Sequence, residues 1–226
     1  MEKSWLTHDT VRLIVVLPEN VRFHPGQYAL LRINDFGERS YSMANRANGR
    51  TLEFFVRQVP DGRVSGFIAN GLKAGDSLDV DGPFGTSYLR QDHTGPILAV
   101  AGGSGIAPIK AIVDAALYHG MKQDIHLYFG VREDRDLYLS RHFENLAQQY
   151  PNLDFHTVLD RGNTHGKQRI GRLDQVIFSD WKCFEGMWQA YVAGPPPLVE
   201  TLAHRLPEMG ILPDSIFADP FVFSRD

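Results

Sequence analysis

The sequence contains almost no cysteine and no long apolar run, and each absence excludes a class of protein. Cys183 is the only cysteine among the 226 residues, which excludes an intrachain disulfide and a four-cysteine iron–sulfur site in this chain. No run approaches the roughly 20 apolar residues that a membrane-spanning helix needs. The segment from Met1 to Leu6 lacks the apolar core of a signal peptide, so the cytoplasm is the expected location.

The sequence also lacks a large net charge and lacks histidines at the spacing typical of metal ligands. The formal net charge is −4, which gives no indication of binding to nucleic acid or to an anionic membrane. The nine histidines include no pair at a spacing such as H-E-x-x-H, so the sequence predicts no metal site. Cys183 has no C-x-x-C partner and is expected to be an inert thiol.

Residues 1–93 have the pattern of an antiparallel β-domain. Short strand candidates are separated by turn-forming pairs such as Pro25-Gly26 and Asp61-Gly62, at a spacing typical of a small Greek-key barrel. The candidates are 11–17, 28–33, 39–44, 52–57 and 77–80. One short helix is predicted at 66–71, although its glycines disfavour it.

Strands and helices alternate from residue 94 onward. Apolar strands are predicted at 97–101, 125–129, 154–159 and 189–193, and helices at 107–119, 140–149, 173–178 and 197–206. Continuous apolar strands that alternate with helices are typical of a doubly wound parallel sheet. The sequence therefore predicts two domains, an antiparallel β-barrel over 1–93 and an α/β domain over 94–226.

Glycine turns follow three of the predicted parallel strands. The first, Gly102-Gly-Ser-Gly-Ile-Ala-Pro108, opens a helix whose first N–H groups can bind a diphosphate. It matches neither G-x-G-x-x-G nor a P-loop, so by itself it is equally compatible with an empty structural turn. Gly130-Val-Arg132 and Gly194-Pro-Pro-Pro197 mark two further strand ends. Because the carboxyl ends of parallel strands meet at one edge, a shared nucleotide crevice is favoured over three unrelated loops.

A second group of candidate residues lies in the β-domain, in Arg39-Ser-Tyr41-Ser42. The guanidinium can bind a phosphate, the tyrosine ring can stack on a flat heterocycle, and the serine hydroxyl can hydrogen-bond a ring nitrogen. An exposed strand with one inward-facing aromatic residue is the alternative. Arg57 and the turn Gly62-Arg-Val-Ser65 add cations and N–H groups, which favour a bound anion.

Five motifs occur in a fixed order along nearly the whole chain. They are Arg39-x-Tyr41-Ser42, Gly62-Arg-Val-Ser65, Gly102 to Pro108, Gly130-Val-Arg132 with Asp136-Leu-Tyr138, and Gly194-Pro-Pro196. Their order resembles the ferredoxin–NADP reductase superfamily. The chain is more closely similar to the reductase components of naphthalene-type aromatic-ring dioxygenases, a resemblance that Pro25-Gly-Gln-Tyr28 and Gly82-Pro-Phe-Gly85 also carry.

The resemblance implies an FAD-binding barrel followed by an NAD(P)H-binding domain. Tyr41 and Ser42 are then the catalytic positions, with Tyr41 stacked on the flavin and Ser42 near its N5 atom. The implied FAD contacts are Arg39, Tyr41, Ser42, Met43, Ala44, Phe55, Val56, Arg57, Gly62, Arg63, Val64, Ser65 and Phe221. The implied NAD(P)H contacts are Gly103, Ser104, Gly105, Ile106, Ala107, Pro108, Gly130, Arg132, Tyr138, Gly194, Pro195 and Pro196. The segment Asp219 to Phe223 is expected to cover the other flavin face, with core packing as the alternative for Phe223.

The implied activity begins with transfer of a hydride from NADH to flavin N5. The flavin then transfers electrons singly to a 2Fe–2S ferredoxin, which passes them to a terminal oxygenase. Acidic residues among the cations that follow 125–129 favour NADH over NADPH. Ala193 stands where much of the superfamily has a cysteine. Many such reductases also carry a ferredoxin domain with four cluster-binding cysteines, and this sequence lacks those four cysteines. The ferredoxin is therefore a separate protein or a missing domain of a longer polypeptide. A free-flavin (FMN or FAD) reductase and a non-catalytic nucleotide sensor are the alternatives.

Overall fold

Two three-stranded antiparallel sheets form the N-terminal half of the computed structural model, which describes residues 1–162 and 168–222. The six strands are β1 (Glu2–Trp5), β2 (Thr10–Val16), β3 (Tyr28–Ile33), β4 (Gly37–Ser42), β5 (Thr51–Arg57) and β6 (Asp79–Phe84). One sheet has the order β1-β2-β5 and the other β4-β3-β6. Alternate residues such as Val11 and Leu13 of β2 and Leu31 of β3 point into one shared core. The antiparallel β-fold predicted for this domain is confirmed.

Six parallel strands form the sheet of the C-terminal half. They are β7 (Ile97–Gly102), β8 (Ile125–Val131), β9 (Leu153–Leu159), β10 (Arg169–Ile170), β11 (Gln189–Gly194) and β12 (Ile216–Pro220), in the order β10-β9-β8-β7-β11-β12. The strand order reverses at β7 and β11, and ligands bind at the carboxyl ends of strands at such a switch point. The predicted doubly wound sheet is confirmed.

The described part of the chain contains five α-helices. They are α1 (Arg63–Gly66), which continues as a π-helical turn over Phe67–Gly71, α2 (Ile106–Tyr118), α3 (Ser140–Gln149), α4 (Leu173–Asp180) and α5 (Pro196–Glu208). The helix predicted at 66–71 thus begins earlier, at Arg63. The strands β1, β10 and β12 were not predicted. Among the described residues no helix is long and apolar enough to cross a membrane.

The two halves of the chain share part of one hydrophobic core. Ile109 and Val113 of α2 belong to the same cluster of buried residues as Phe55 of β5 and Leu89. At this interface the ammonium group of Lys110 donates to the carbonyl oxygen of Ala44 at 2.9 Å. The sheet's other face is covered by α4 and α5, with a separate core around Val100, Tyr128 and Leu202. The boundary between residues 93 and 94 stays a prediction.

Candidate functional site

A first cleft of about 380 Å³ lies where the two halves meet. It brings together most of the residues predicted to contact the flavin: Arg39, Tyr41, Ser42, Phe55, Arg57, Gly62, Arg63, Val64, Ser65 and Phe221. The remaining three, Met43, Ala44 and Val56, are at most 1% exposed and lie in the cores rather than in the lining. Phe223 lies outside the described residues.

Three guanidinium groups and one carboxylate, Asp219, line this cleft in the described part of the chain. Arg57 donates from Nε to Asp9 Oδ2 at 2.8 Å, whereas Arg63 donates to the carbonyl oxygen of Asp35 at 2.7 Å. The contact with a neutral carbonyl oxygen orients the Arg63 guanidinium but does not neutralise its positive charge. An arginine held in this way can bind a phosphate group through two parallel hydrogen bonds.

Gly62 shapes the turn that enters α1. A Cβ atom at this position would lie 2.6 Å from Ser65 Oγ and 3.2 Å from the carbonyl oxygen of Val59. Ser65 Oγ accepts the N–H of Val59 at 3.1 Å, which closes the turn. The glycine therefore permits a tight backbone turn beside Arg63, of a kind that can bind a diphosphate.

Ser42 faces the carboxylate of Asp219, the first residue of the segment expected to cover the flavin. Its hydroxyl donates to Asp219 Oδ2 at 3.4 Å across 177 residues of sequence. The strand β12, which runs parallel to β11, places Asp219 beside Ala193. Burial raises the pKa of Asp219 to about 6, while the hydrogen bond from Ser42 opposes this rise. Burial also raises the pKa of the Tyr41 hydroxyl, so that it stays protonated.

Asp219, Pro220 and Val222, which belong to the segment expected to cover the flavin, also line the cleft, and the lining residues that were not predicted are Tyr28, Ser40 and Val59. The sequence predicted the position of the segment that contains Asp219, but it did not predict the contact between this carboxylate and Ser42. Phe221 is held in the cleft because its N–H donates to the carbonyl oxygen of Gly194 at 2.8 Å.

A second cleft of about 310 Å³ opens at the carboxyl ends of β7, β8 and β11. It brings together the predicted nucleotide contacts Gly103, Ser104, Gly130, Arg132, Tyr138 and Pro195. The predicted contacts Gly105, Ile106, Pro108, Gly194 and Pro196 do not line it, and Ala107 lines the first cleft instead. Asp9, Asp136, Asp160, Arg172 and Asp174 are charged lining residues that sequence reasoning did not assign to the site.

Gly105 and Gly194 shape the second cleft without lining it. A Cβ at Gly105 would lie 2.2 Å from the carbonyl oxygen of Ala193. Gly194 has φ +144°, and a Cβ there would lie 2.8 Å from the carbonyl oxygen of Gly102. These close approaches seat the turn before α2 directly on β11. The first N–H groups of α2 then point to the strand ends, where they can bind an anion.

Most cations near this cleft are already paired with carboxylates. Arg135 and Arg161 both contact Glu133 at 2.9 Å, and Arg172 contacts Asp174 at 2.9 Å. Burial raises the pKa of Asp160, which also lines the cleft. The hydroxyl of Tyr138 is buried and has no hydrogen-bond partner among the described residues. An orphaned buried hydroxyl of this kind is suited to a bound polar group.

The two clefts adjoin each other, because Arg57 and Ser104 line both. The first has aromatic rings with a cationic turn, and the second has a glycine turn with a helix N-terminus. This arrangement can hold a flat heterocycle and a dinucleotide side by side.

Comparisons with known proteins agree with this geometry. The chain matches the family described as oxidoreductase FAD-binding domain over residues 1–88, and the one described as oxidoreductase NAD-binding domain over residues 99–204. It is 44% identical, over 95% of its length, to the ferredoxin–NAD(P)(+) reductase component of a Pseudomonas putida naphthalene 1,2-dioxygenase system, and covers 65% of that protein. The chain is also 42% identical to a Ralstonia ferredoxin–NAD(P)(+) reductase component of naphthalene 1,2-dioxygenase and salicylate 5-hydroxylase systems. This match covers 95% of the chain and 65% of the Ralstonia protein.

A solved structure is similar over the whole fold. The Amycolatopsis cytochrome P450 reductase GcoB has a TM-score of 0.91 and 32% identity, with 98% of this chain and 68% of that chain covered. The chain spans less than two thirds of the length of the two curated relatives, at 65% of each. The order of the motifs, the fold and these matches together show that the chain belongs to the ferredoxin–NADP reductase superfamily, with an FAD-binding domain followed by an NAD-binding domain.

Proposed function

We propose that this chain is the FAD-dependent NAD(P)H:ferredoxin oxidoreductase module of an aromatic-ring dioxygenase system. The observation that carries the proposal is the pair of adjoining clefts that share Arg57 and Ser104. A flavin site and a dinucleotide site must adjoin for direct hydride transfer, which requires reacting atoms about 3–3.5 Å apart. The names of the Pseudomonas and Ralstonia relatives support the same reaction.

In this proposal FAD occupies the first cleft. Arg39, Arg63 and the turn at Gly62–Ser65 bind its diphosphate, and Tyr41 and Phe221 cover the ring and exclude water. Bound flavin supplies the redox chemistry, because it accepts a hydride and releases electrons singly. Ser42 presents a hydroxyl that can donate to a ring nitrogen. Asp219, with its pKa raised to about 6, takes up or releases a proton beside that hydroxyl.

The second cleft is proposed to bind NADH in preference to NADPH. Gly103, Ser104 and the first turn of α2 bind the diphosphate. A 2′-phosphate needs cations that are available to it. The pairing of Arg135 and Arg161 with Glu133 reduces the positive charge available to that group, so that Arg132 is the lining cation on which NADPH binding would depend.

The proposed electron acceptor is a 2Fe–2S ferredoxin, which passes the electrons to a terminal oxygenase. Cys183 alone cannot hold such a cluster. The ferredoxin is accordingly a separate protein or another domain of the same polypeptide. No nucleic acid or membrane partner is proposed.

Gel filtration and acceptor assays test the proposal against its alternatives. We expect the FAD-loaded chain to emerge yellow, to release FAD on denaturation, and to reduce an artificial acceptor with NADH. A colourless protein that turns over added FMN would instead support the free-flavin reductase. Retention of FAD without acceptor reduction would support the non-catalytic sensor, and either result would contradict the proposal.

A further inference from the structure

Three side chains with metal-binding atoms meet near the amino-terminal ends of β8 and β9. The two clefts lie at the opposite, carboxyl-terminal ends of the parallel strands. His126 is the second residue of β8, and Asp154 and His156 are the second and fourth residues of β9. In the parallel register His126 is paired with Asp154. Since side chains alternate between the faces of a strand, all three project from the same face. The spacing of histidines along the sequence could not reveal them, because α3 separates the two strands.

The three groups are close enough to share one ion. One ligand atom from each, an imidazole nitrogen or a carboxylate oxygen, lies within 4.8 Å of the other two. Asp154 Oδ2 lies 2.8 Å from His156 Nε2 and 3.6 Å from His126 Nδ1. Bonds of about 2.0–2.2 Å to one zinc ion place its ligand atoms roughly 3–4 Å apart. The measured distance of 3.6 Å lies within this range, and the distance of 2.8 Å is slightly shorter.

His126 presents a lone buried nitrogen to the other two groups. Its Nδ1 atom is buried and has no hydrogen-bond partner among the described residues, because Asp154 Oδ2 is beyond hydrogen-bond distance. A buried nitrogen without a partner is costly in a folded protein. Coordination of a metal ion would satisfy this nitrogen.

Aromatic rings hold both imidazoles in place. His156 stacks on Tyr128 with ring centroids 4.5 Å apart, and His126 packs edge-on against Trp181 at 4.9 Å. The Tyr128 hydroxyl donates to Asp180 Oδ2 at 3.0 Å and accepts the Trp181 indole N–H at 3.0 Å. These ring contacts restrict the orientations of the two imidazoles. Asp154 is 58% exposed, so a fourth position on its side is open to water.

We propose that His126, Asp154 and His156 form a binding site for a divalent transition metal ion, of which Zn²⁺ is the best match. Two imidazoles and one carboxylate suit Zn²⁺, Co²⁺ or Ni²⁺, whereas Mg²⁺ and Ca²⁺ prefer all-oxygen sites. The site lies at the end of the sheet away from both clefts, and it would clamp β8 to β9. Its role is therefore structural and independent of the proposed redox function.

Calorimetric titration of the chelator-treated, FAD-loaded chain with Zn²⁺ tests the site. We expect saturable binding of one ion per chain, and a rise in the thermal unfolding midpoint on adding Zn²⁺. Asp154→Asn changes an exposed carboxylate and should leave the fold intact while weakening binding by at least about tenfold. His156→Gln is the second variant and should do the same.

Two matched variants complete the test. His204→Ala removes a histidine that is 77% exposed on α5, and Cys183→Ser removes the exposed thiol, and neither should change Zn²⁺ affinity. The proposal is overturned if the unmodified chain shows no saturable binding. It is equally overturned if Asp154→Asn and His156→Gln bind as tightly as the unmodified chain, or if His204→Ala or Cys183→Ser abolishes binding.

Discussion

At the scale of single residues, burial of Asp219 beside Ser42 controls the protonation state of the carboxylate in the first cleft. Asp219 is largely buried, and its pKa is raised from 3.8 to about 6. The folded chain without bound cofactor thus holds this proton more tightly than the unfolded chain does. The stabilisation from the protonated Asp219 carboxyl is fully present below about pH 4. This stabilisation is lost as the pH rises through about 6.

Asp219→Asn should remove this pH dependence. The amide has the same shape and carries no charge, so the variant should be more stable than the unmodified chain at pH 7, by up to about 2–3 kcal/mol. Urea unfolding between pH 4 and pH 7.5 checks the difference. Asp214→Asn changes an exposed carboxylate nearby in sequence and serves as the control. An identical pH slope for Asp219→Asn and the unmodified chain would refute the raised pKa.

Arg63 is the residue whose removal should weaken FAD binding without harming the fold. It is exposed, and among the described residues its guanidinium donates to a carbonyl oxygen and to no carboxylate, so Arg63→Ala should leave stability nearly unchanged. Loss of one charged hydrogen bond to a phosphate costs about 1.5–3 kcal/mol, which raises the FAD dissociation constant at least about tenfold. Quenching of flavin fluorescence measures this constant. Arg50 is an exposed arginine outside the cleft lining, so the control variant Arg50→Ala should bind FAD normally. An unchanged FAD dissociation constant in Arg63→Ala would show that Arg63 does not belong to the proposed site.

At the scale of elements, the start of α2 depends on its close packing against β11. In Gly105→Ala the new methyl group would lie 2.2 Å from the carbonyl oxygen of Ala193, so the helix must move away from the strand. We expect a loss of stability of about 1–3 kcal/mol and a higher NADH KM. Gly66→Ala, whose methyl group would meet no atom within 4 Å, should be neutral or slightly stabilising. Normal NADH affinity in a folded Gly105→Ala variant would show that this packing does not shape the second cleft.

A buried ion-pair network ties α2 to the β-domain. Lys110, which is 12% exposed, lies 3.2 Å from Glu53 Oε2 and 3.0 Å from Asp114 Oδ2. Arg12 is a second partner of Glu53, and His142 contacts Asp114 at 2.8 Å. Glu53 belongs to β5 and Asp114 to α2, so the ammonium group bridges the two domains.

Lys110→Met should therefore loosen the domain interface. Removing one partner of a buried pair costs about 3–5 kcal/mol, and the low end applies because Arg12 and His142 still contact the two carboxylates. Urea unfolding gives the change in free energy, with the exposed Lys122→Met as the matched control. Equal stability of the two variants would mean that the network contributes nothing to the interface.

At the scale of the whole molecule, local patterns were sufficient for the glycine turns and for most strands, but not for β1 or for β10 and β12 at the edges of the parallel sheet. Strands such as 28–33 and 97–101 have strong apolar patterns that predict their type. Contacts that join distant parts of the sequence left no such pattern. The pair Ser42 and Asp219, and the cluster of His126, Asp154 and His156, depend on strand order and register. Arg57 was predicted as a cation of the FAD site, and its pairing with Asp9 became visible only in the fold.

Anaerobic titration of the FAD-loaded chain with NADH tests the central claim most directly, namely that the two adjoining clefts act together as one redox site. The account predicts that one equivalent of NADH bleaches the flavin absorbance band completely, and that NADPH does so more slowly. A flavin band that stays unchanged on addition of NADH to a folded, FAD-containing chain would contradict it.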